Sequence, residues 1–133
     1  MSVRPTDYWR QSVAEEARQI ASGELDPECA YMAELFPEPM LNSTDEVLLL
    51  FERELTSLTN SSDEDIFAVI ERVVLALNKV NDQHDGAAYE TGEREQLCEY
   101  LEESLIETGI DIDALAGRRS LTRHEITDEW RHW

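Results

Sequence analysis

Three residues near the C-terminal end have the strongest chemical potential by type and spacing. His124, Asp128 and His132 recur at i, i+4 and i+8, so on a helix they share one face. Imidazole and carboxylate donors at that spacing suit a transition metal, with further ligands needed from elsewhere. The competing reading is a solvated face opposite Ile126, Trp130 and Trp133, and it is the one adopted: no metal ligand and no cofactor are assigned. The run Glu129-Trp-Arg-His132 supplies one Glu-x-x-His motif, whereas a di-iron bundle needs two, plus Glu from two other helices. A calcium loop counted from Asn81 puts Asp85-Gly86 at positions five and six. It then places Gln83 at position three and Gly92 where the bidentate Glu belongs, so it fails.

Nucleophilic chemistry has no better footing. There is no Gly-x-Ser-x-Gly elbow and no Gly-rich phosphate loop. Cys29 and Cys98 are far apart and lack Cys-x-x-Cys or Cys/His spacing, so two buried free thiols are expected. With 30 acidic residues, some carboxylates will be neighbours by number alone, so a general acid/base pair cannot be picked out. The expectation is a protein that is not an enzyme.

The acids themselves are the more informative pattern. On a helical wheel Glu95, Glu99, Glu102, Glu103 and Glu107 fall within an arc of roughly 140°, opposite Leu97, Cys98, Leu101 and Leu105. Like charges at i, i+4 oppose an isolated helix by a few tenths of a kcal/mol per pair, so packing of the leucine face must offset them. Ile106 lies inside the arc and Tyr100 at its edge. An apolar anchor ringed by carboxylates is the pattern of a small docking hot spot. The stripe reads either as a solvated outer face or as a docking surface for a basic partner. Glu95, Glu99, Tyr100, Glu102, Glu103, Ile106 and Glu107 are the candidate partner-binding residues.

Charge along the chain supports such a surface. The formal net charge is -19. Residues 1–22 balance three acids with three Arg, and residues 111–133 set five acids against four Arg. Residues 23–110 hold 22 acids against Arg53, Arg72, Lys79 and Arg94, a net of -18. Adaptation to high salt would spread acid over both ends as well. Direct binding to nucleic acid or anionic lipid is disfavoured by repulsion. No secretory h-region or membrane-length apolar run is seen, so a cytoplasmic location is expected.

The elements that must position these residues are helical throughout, in one domain of about five to six helices. Residues 1–25 form an N-terminal helix opened by Pro5-Thr6, with Trp9, Val13, Ala17, Ile20 and Ala21 on its apolar face and Gly23 at its end. Residues 26–110 form the acidic body. Asp26-Pro27 starts a short helix that stops at Pro37 and Pro39. Ser43-Thr-Asp-Glu46 reads as a capping box for a third helix facing inward with Val47, Leu48, Phe51, Leu55 and Leu58. Asn60-Ser61-Ser62 breaks it, and Ser62 caps a helix, apolar nearly all round over residues 66–77, that belongs at the centre of the bundle. After a polar loop over 82–88, the fifth helix runs from about Gly92 to Thr108, with Gly109 past its end. Residues 111–133 give a short helical turn and an Arg/Trp-rich last helix behind the box Thr122-Arg-His-Glu125. Its Arg118, Arg119, Arg123 and Arg131 can pair with the acidic body or receive an anion. Trp130 and Trp133 are expected in the core or at a dimer contact.

The segments Asn78-Lys-Val-Asn-Asp82, Glu90-Thr-Gly-Glu-Arg-Glu95 and Gly109-Ile-Asp-Ile-Asp113 resemble a family of small, acidic, uncharacterised bacterial all-helical proteins with a Glu-Thr-x-x-Arg-Glu motif. The resemblance covers residues 35–112. The chain also looks, more loosely, like bacterial toxin-immunity proteins. It thereby implies a non-enzymatic inhibitor of a basic toxin. The alternative is a structural or regulatory homodimer whose acidity serves solubility, and a metal-dependent enzyme using His124, Asp128 and His132 comes third.

Overall fold

The computed structural model describes residues 3–59 and 61–133. Met1, Ser2 and Asn60, the last of these one of the expected helix breakers, lie outside it. The helices are α1 (Pro5–Ser22), α2 (Met32–Leu35), α3 (Glu38–Ser57), α4 (Asp63–Gln83), α5 (Thr91–Glu107) and α6 (Ile112–Gly117). Two 3-10 turns, Pro27–Cys29 and Arg123–Glu125, complete them, and no strand occurs among the described residues. The all-α bundle expected from the sequence is therefore the observed class.

The helix expected at the centre buries more side chains than any other and packs chiefly against α3. Ser62 accepts from the Asp65 N–H at 3.2 Å while Asp65 accepts from the Ser62 N–H at 3.3 Å, a reciprocal cap. Behind it Ile66, Phe67, Val69, Ile70, Val73, Val74, Leu77 and Val80 are buried. The exceptions on that inner face are Asn78 and Asn81, both buried. Each sits four residues beyond an apolar core position, Val74 and Leu77 respectively, and each ties down a later segment. Asn81 Oδ1 accepts from the N–H groups of Ala88 and Tyr89 at 2.9 and 3.3 Å, which pins the α4–α5 loop. Asn78 donates to the Trp130 carbonyl at 2.6 Å and accepts from the His132 N–H at 2.9 Å, which pins the C-terminal segment.

Four sequence expectations need correction. The box at residues 43–46 does not start α3, which begins at Glu38 with Pro39 in its first turn, where a missing N–H costs nothing. Met40, Leu41 and Thr44 continue the Leu48–Phe51–Leu55 face backward into the core, and that burial outweighs the local cap. Thr44 lies fully buried with its hydroxyl 2.6 Å from that of Tyr89, and Asp45 accepts from Arg10 at 2.5 Å.

The single short helix expected after Asp26 is split into a 3-10 turn and α2. Asp26 does cap the turn, accepting from the Glu28 N–H at 2.9 Å. The start of α2 is capped from outside, by Glu16 of α1. Its carboxylate accepts from the Tyr31 and Met32 N–H groups at 3.2 and 3.0 Å and is buried there, while Ala17 and Ala21 face solvent.

The thiols are free, but Cys29 is exposed and Cys98 only partly covered. Fourth, the last helix does not form. Beyond the capping box at Thr122 and Glu125 the chain makes one 3-10 turn and then runs as turns and coil to Trp133. In a helix the His132 N–H would bond to the carbonyl four residues back, and here Asn78 takes it instead. Trp133 is buried edge-on against Tyr89 at 5.6 Å. Tyr89 lies 6.1 Å from Trp9, and Trp9 stacks on Phe36 at 5.4 Å. This aromatic chain joins α1, the α2–α3 turn, the α4–α5 loop and the C-terminus.

Candidate functional site

Helix α5 carries the acidic stripe, and its packing sorts the stripe into two groups. Leu97, Leu101 and Leu105 are buried, as the wheel predicts. Glu95, Glu99, Glu103 and Glu107 are exposed, and Ile106 among them is 46% exposed. Tyr100 and Glu102 are not part of that surface. Tyr100 is buried and gives its hydroxyl proton to Glu52 of α3, which also accepts from Arg4 Nε and Nη2 at 2.8 and 2.7 Å. The Arg4 guanidinium holds the Glu52 carboxyl below its ordinary range. Burial, and then the hydrogen bond to Glu52, push Tyr100 up. Tyr100 therefore joins α1, α3 and α5 and is a bolt rather than an anchor for a partner.

Glu102 is only 8% exposed, and its Oε1 lies 3.0 Å from Nδ1 of His124 in the C-terminal segment. Burial raises this carboxyl, while His124 and Arg123 pull it partway back. The wheel angle of Glu102 places it with Glu95 and Glu99. A segment more than twenty residues later covers it, and that contact lies beyond any wheel.

Between α5 and the C-terminal segment lies a cleft of about 580 Å³. Glu95, Glu99, Glu102 and Glu103 line one wall with Arg94 and Cys98, and Arg123, His124 and Arg131 line the other. The structure thus brings together two features that were separate in the sequence, the stripe and half of the Arg group. Arg123 and Arg131 each have an acidic partner on this chain, although the Nε of each is buried without a hydrogen-bond partner. Arg131 donates to Asp128 at 2.8 Å and to the Trp133 carbonyl at 3.1 Å, and Arg123 lies 3.8 Å from Asp113. Arg118 forms a two-pronged pair with Asp63 at 2.6 and 2.8 Å, and Arg119 lies over the Phe67 ring at 3.7 Å. Three of the four arginines of this group thus pair with carboxylates of the chain itself, and the fourth packs on an aromatic ring.

The chemistry available in the cleft is limited. The Cys98 sulfur lies 3.9 Å from the Thr127 hydroxyl, and burial keeps the thiol protonated, opposite to what a nucleophile needs. The proposed metal stripe is dispersed, because without a last helix its three residues share no face. His124 turns to Glu102, Asp128 to Arg131, and the His132 side chain is exposed. No group of three or more His, Cys, Asp or Glu side chains among the described residues could hold a metal ion. No described helix is long and apolar enough to cross a membrane.

Comparison with protein-family models, curated proteins and solved structures finds no match to this chain.

Proposed function

We propose that this chain is a non-enzymatic acidic binding protein for a basic protein partner, with an immunity-type inhibitor of a bacterial toxin as its most concrete form. The observation that carries the reading is how the charges are used. Arg4, Arg10, Arg18, Arg72, Arg118, Arg123 and Arg131, seven of the 11 basic residues, are in ion pairs with this chain's own carboxylates. The excess of 19 negative charges is not neutralised by the chain's own cations, and it sets the sign of the surface field. Glu95, Glu99 and Glu103 present part of that excess on a helix made rigid by its leucine face, with Ile106 as an apolar contact beside them. Such a field steers a basic partner and rejects acidic ones.

The test is a captured partner of the source cells, purified and titrated over a range of salt. A basic partner should bind with an association rate that falls steeply as salt rises. The double variant Glu99→Gln/Glu103→Gln should slow association severalfold and flatten that dependence. A partner that binds equally well from low to high salt, or that is itself acidic, would sink the reading.

A further inference from the structure

Arg123 Nε, Arg131 Nε and Trp133 Nε1 are buried without a hydrogen-bond partner, and all three lie within residues 122–133. No other segment of the described residues strands as many. A buried donor without an acceptor has lost its bond to water and gained none in exchange. The segment is also sparingly attached. Among the described residues its backbone is tied to the helices at two groups, the Trp130 carbonyl and the His132 N–H, both held by Asn78. Past its single 3-10 turn it has no helix to break on leaving. Burial of Ile126, Thr127 and Trp133 holds it down. Closing this strap thus covers apolar carbon and strands three donors. Gain and cost oppose each other, which places the strap at the low end of the molecule's local stability.

The surface beneath gives its release a consequence. Arg123, His124 and Arg131 of the strap form the wall of the cleft opposite Glu95, Glu99, Glu102 and Glu103 of α5. His124 Nδ1 meets Glu102 Oε1 at 3.0 Å, and the Cys98 sulfur lies 3.9 Å from the Thr127 hydroxyl. The chain therefore lays a basic segment of its own along the inner edge of the acidic stripe. Its hold there is imperfect, since the carboxylate nearest to Arg123 is Asp113 at 3.8 Å and its Nε bonds to nothing. A Lys or Arg brought to the stripe from outside meets the same glutamates and repels the strap's arginines.

We infer that residues 122–133 are an autoinhibitory strap over the α5 stripe, which a basic partner displaces, baring Glu102 and Cys98. This rests on the basic-partner reading and adds to it that part of the binding surface is closed until the partner arrives. In the open state Glu102 joins Glu95, Glu99 and Glu103 on the surface.

Cys98 supplies the readout. The full chain carries Cys29→Ser, which removes the exposed thiol and leaves Cys98 as the reporter. The probe is labelled oligolysine, with oligoglutamate as control, and binding is followed by fluorescence anisotropy at about 20 mM salt. Saturating oligolysine should raise the rate at which iodoacetamide alkylates Cys98 roughly tenfold, with circular dichroism unchanged. Oligoglutamate should leave the rate as it is. Thr127→Cys, added to the same chain, sets a second thiol beside Cys98, so oxidation can tie the strap to α5. The oxidised form should bind oligolysine roughly tenfold more weakly than the reduced form. Loss of both free thiols shows that the tie has closed, and without it the alkylation rate decides alone. Oligolysine that binds while leaving the Cys98 rate unchanged, or slowing it, overturns the strap and leaves the basic-partner reading intact. A tied chain that binds as tightly as the reduced one does the same. Acceleration with loss of helix signal would mean that the peptide unfolds the bundle, and also overturns the strap. Absence of oligolysine binding at low salt defeats both.

Discussion

Asn78 holds two backbone groups of the C-terminal segment from within the buried face of α4, so its amide is worth more than a surface hydrogen bond. Removing it in Asn78→Ala leaves the Trp130 carbonyl and the His132 N–H without partners, at a cost of about 1–3 kcal/mol. Urea denaturation should show that loss, together with a shift in the emission of the C-terminal tryptophans as the segment loosens. Two largely buried carboxylates should respond to pH in opposite directions. Glu52 is held below its ordinary range by Arg4, so it stabilises the fold above the ordinary glutamate range, and that contribution is lost as pH falls through its lowered value. Glu102 is raised by burial, so the folded state holds its proton more tightly than the unfolded chain does. Its contribution is complete below the ordinary glutamate range and is lost as pH rises through the raised value. Unfolding curves between about pH 4 and pH 7 should therefore show Glu52→Gln losing ground to wild type as pH rises and Glu102→Gln gaining it. The same sign for both variants would contradict the geometry.

At the scale of elements, burial and local capping compete, and the outcome differs from helix to helix. At α4 they agree. Ser62 caps an apolar helix where the sequence places it, and Ser62→Ala should cost about 1 kcal/mol. At α3 they disagree. Thr44 follows Ser43 in a run that reads as a capping box, yet it sits inside the helix against Tyr89. Thr44→Val keeps the shape and removes the hydroxyl, so it should destabilise by about 1–3 kcal/mol through the Tyr89 hydroxyl left unpaired. If Thr44 were merely part of an N-terminal cap, the helix content by circular dichroism would fall as well, and here it should not. At α5 the like charges at i, i+4 are offset by the leucine face. Leu101→Ala should cost about 2–5 kcal/mol and should be partly recovered when salt screens the stripe.

For the molecule as a whole, the excess of acid acts on the fold before it acts on any partner. A compact body at net -19 repels itself, so adding monovalent salt to a few hundred millimolar should raise the melting temperature. A fall on adding salt would instead mean that the ion pairs within the chain outweigh the self-repulsion. Three of those pairs, made by Arg4, Arg10 and Arg118, bind the two nearly neutral ends onto the acidic body. Arg4 reaches Glu52 and Arg118 reaches Asp63, which accounts for arginines collecting at the termini of an acidic chain. Within the Arg group, Arg118 ties the C-terminal segment to α4, while Arg123 and Arg131 pair with Asp113 and Asp128 of that segment itself.

Several features were determined by the sequence alone because they depend on near neighbours. Helical periodicity, the ends of α1 and α5, the start and apolar character of α4 and the acidic excess all follow from spacing within a few residues and from counting charge. Tertiary structure decided whatever depends on a partner distant along the chain. The wheel could not show that Glu102 is covered by His124 or that Tyr100 is spent on Glu52, because an angle about one axis says nothing of what packs against it. The sequence held a faint signal for Asn78 and Asn81, amides at positions where the apolar period calls for carbon. What they hold could be known only once the loop and the C-terminus had come back to α4. The last helix failed for the same reason: its local signals were sound, but Asn78 and the Trp133–Tyr89 contact bind that segment more favourably as an irregular strap.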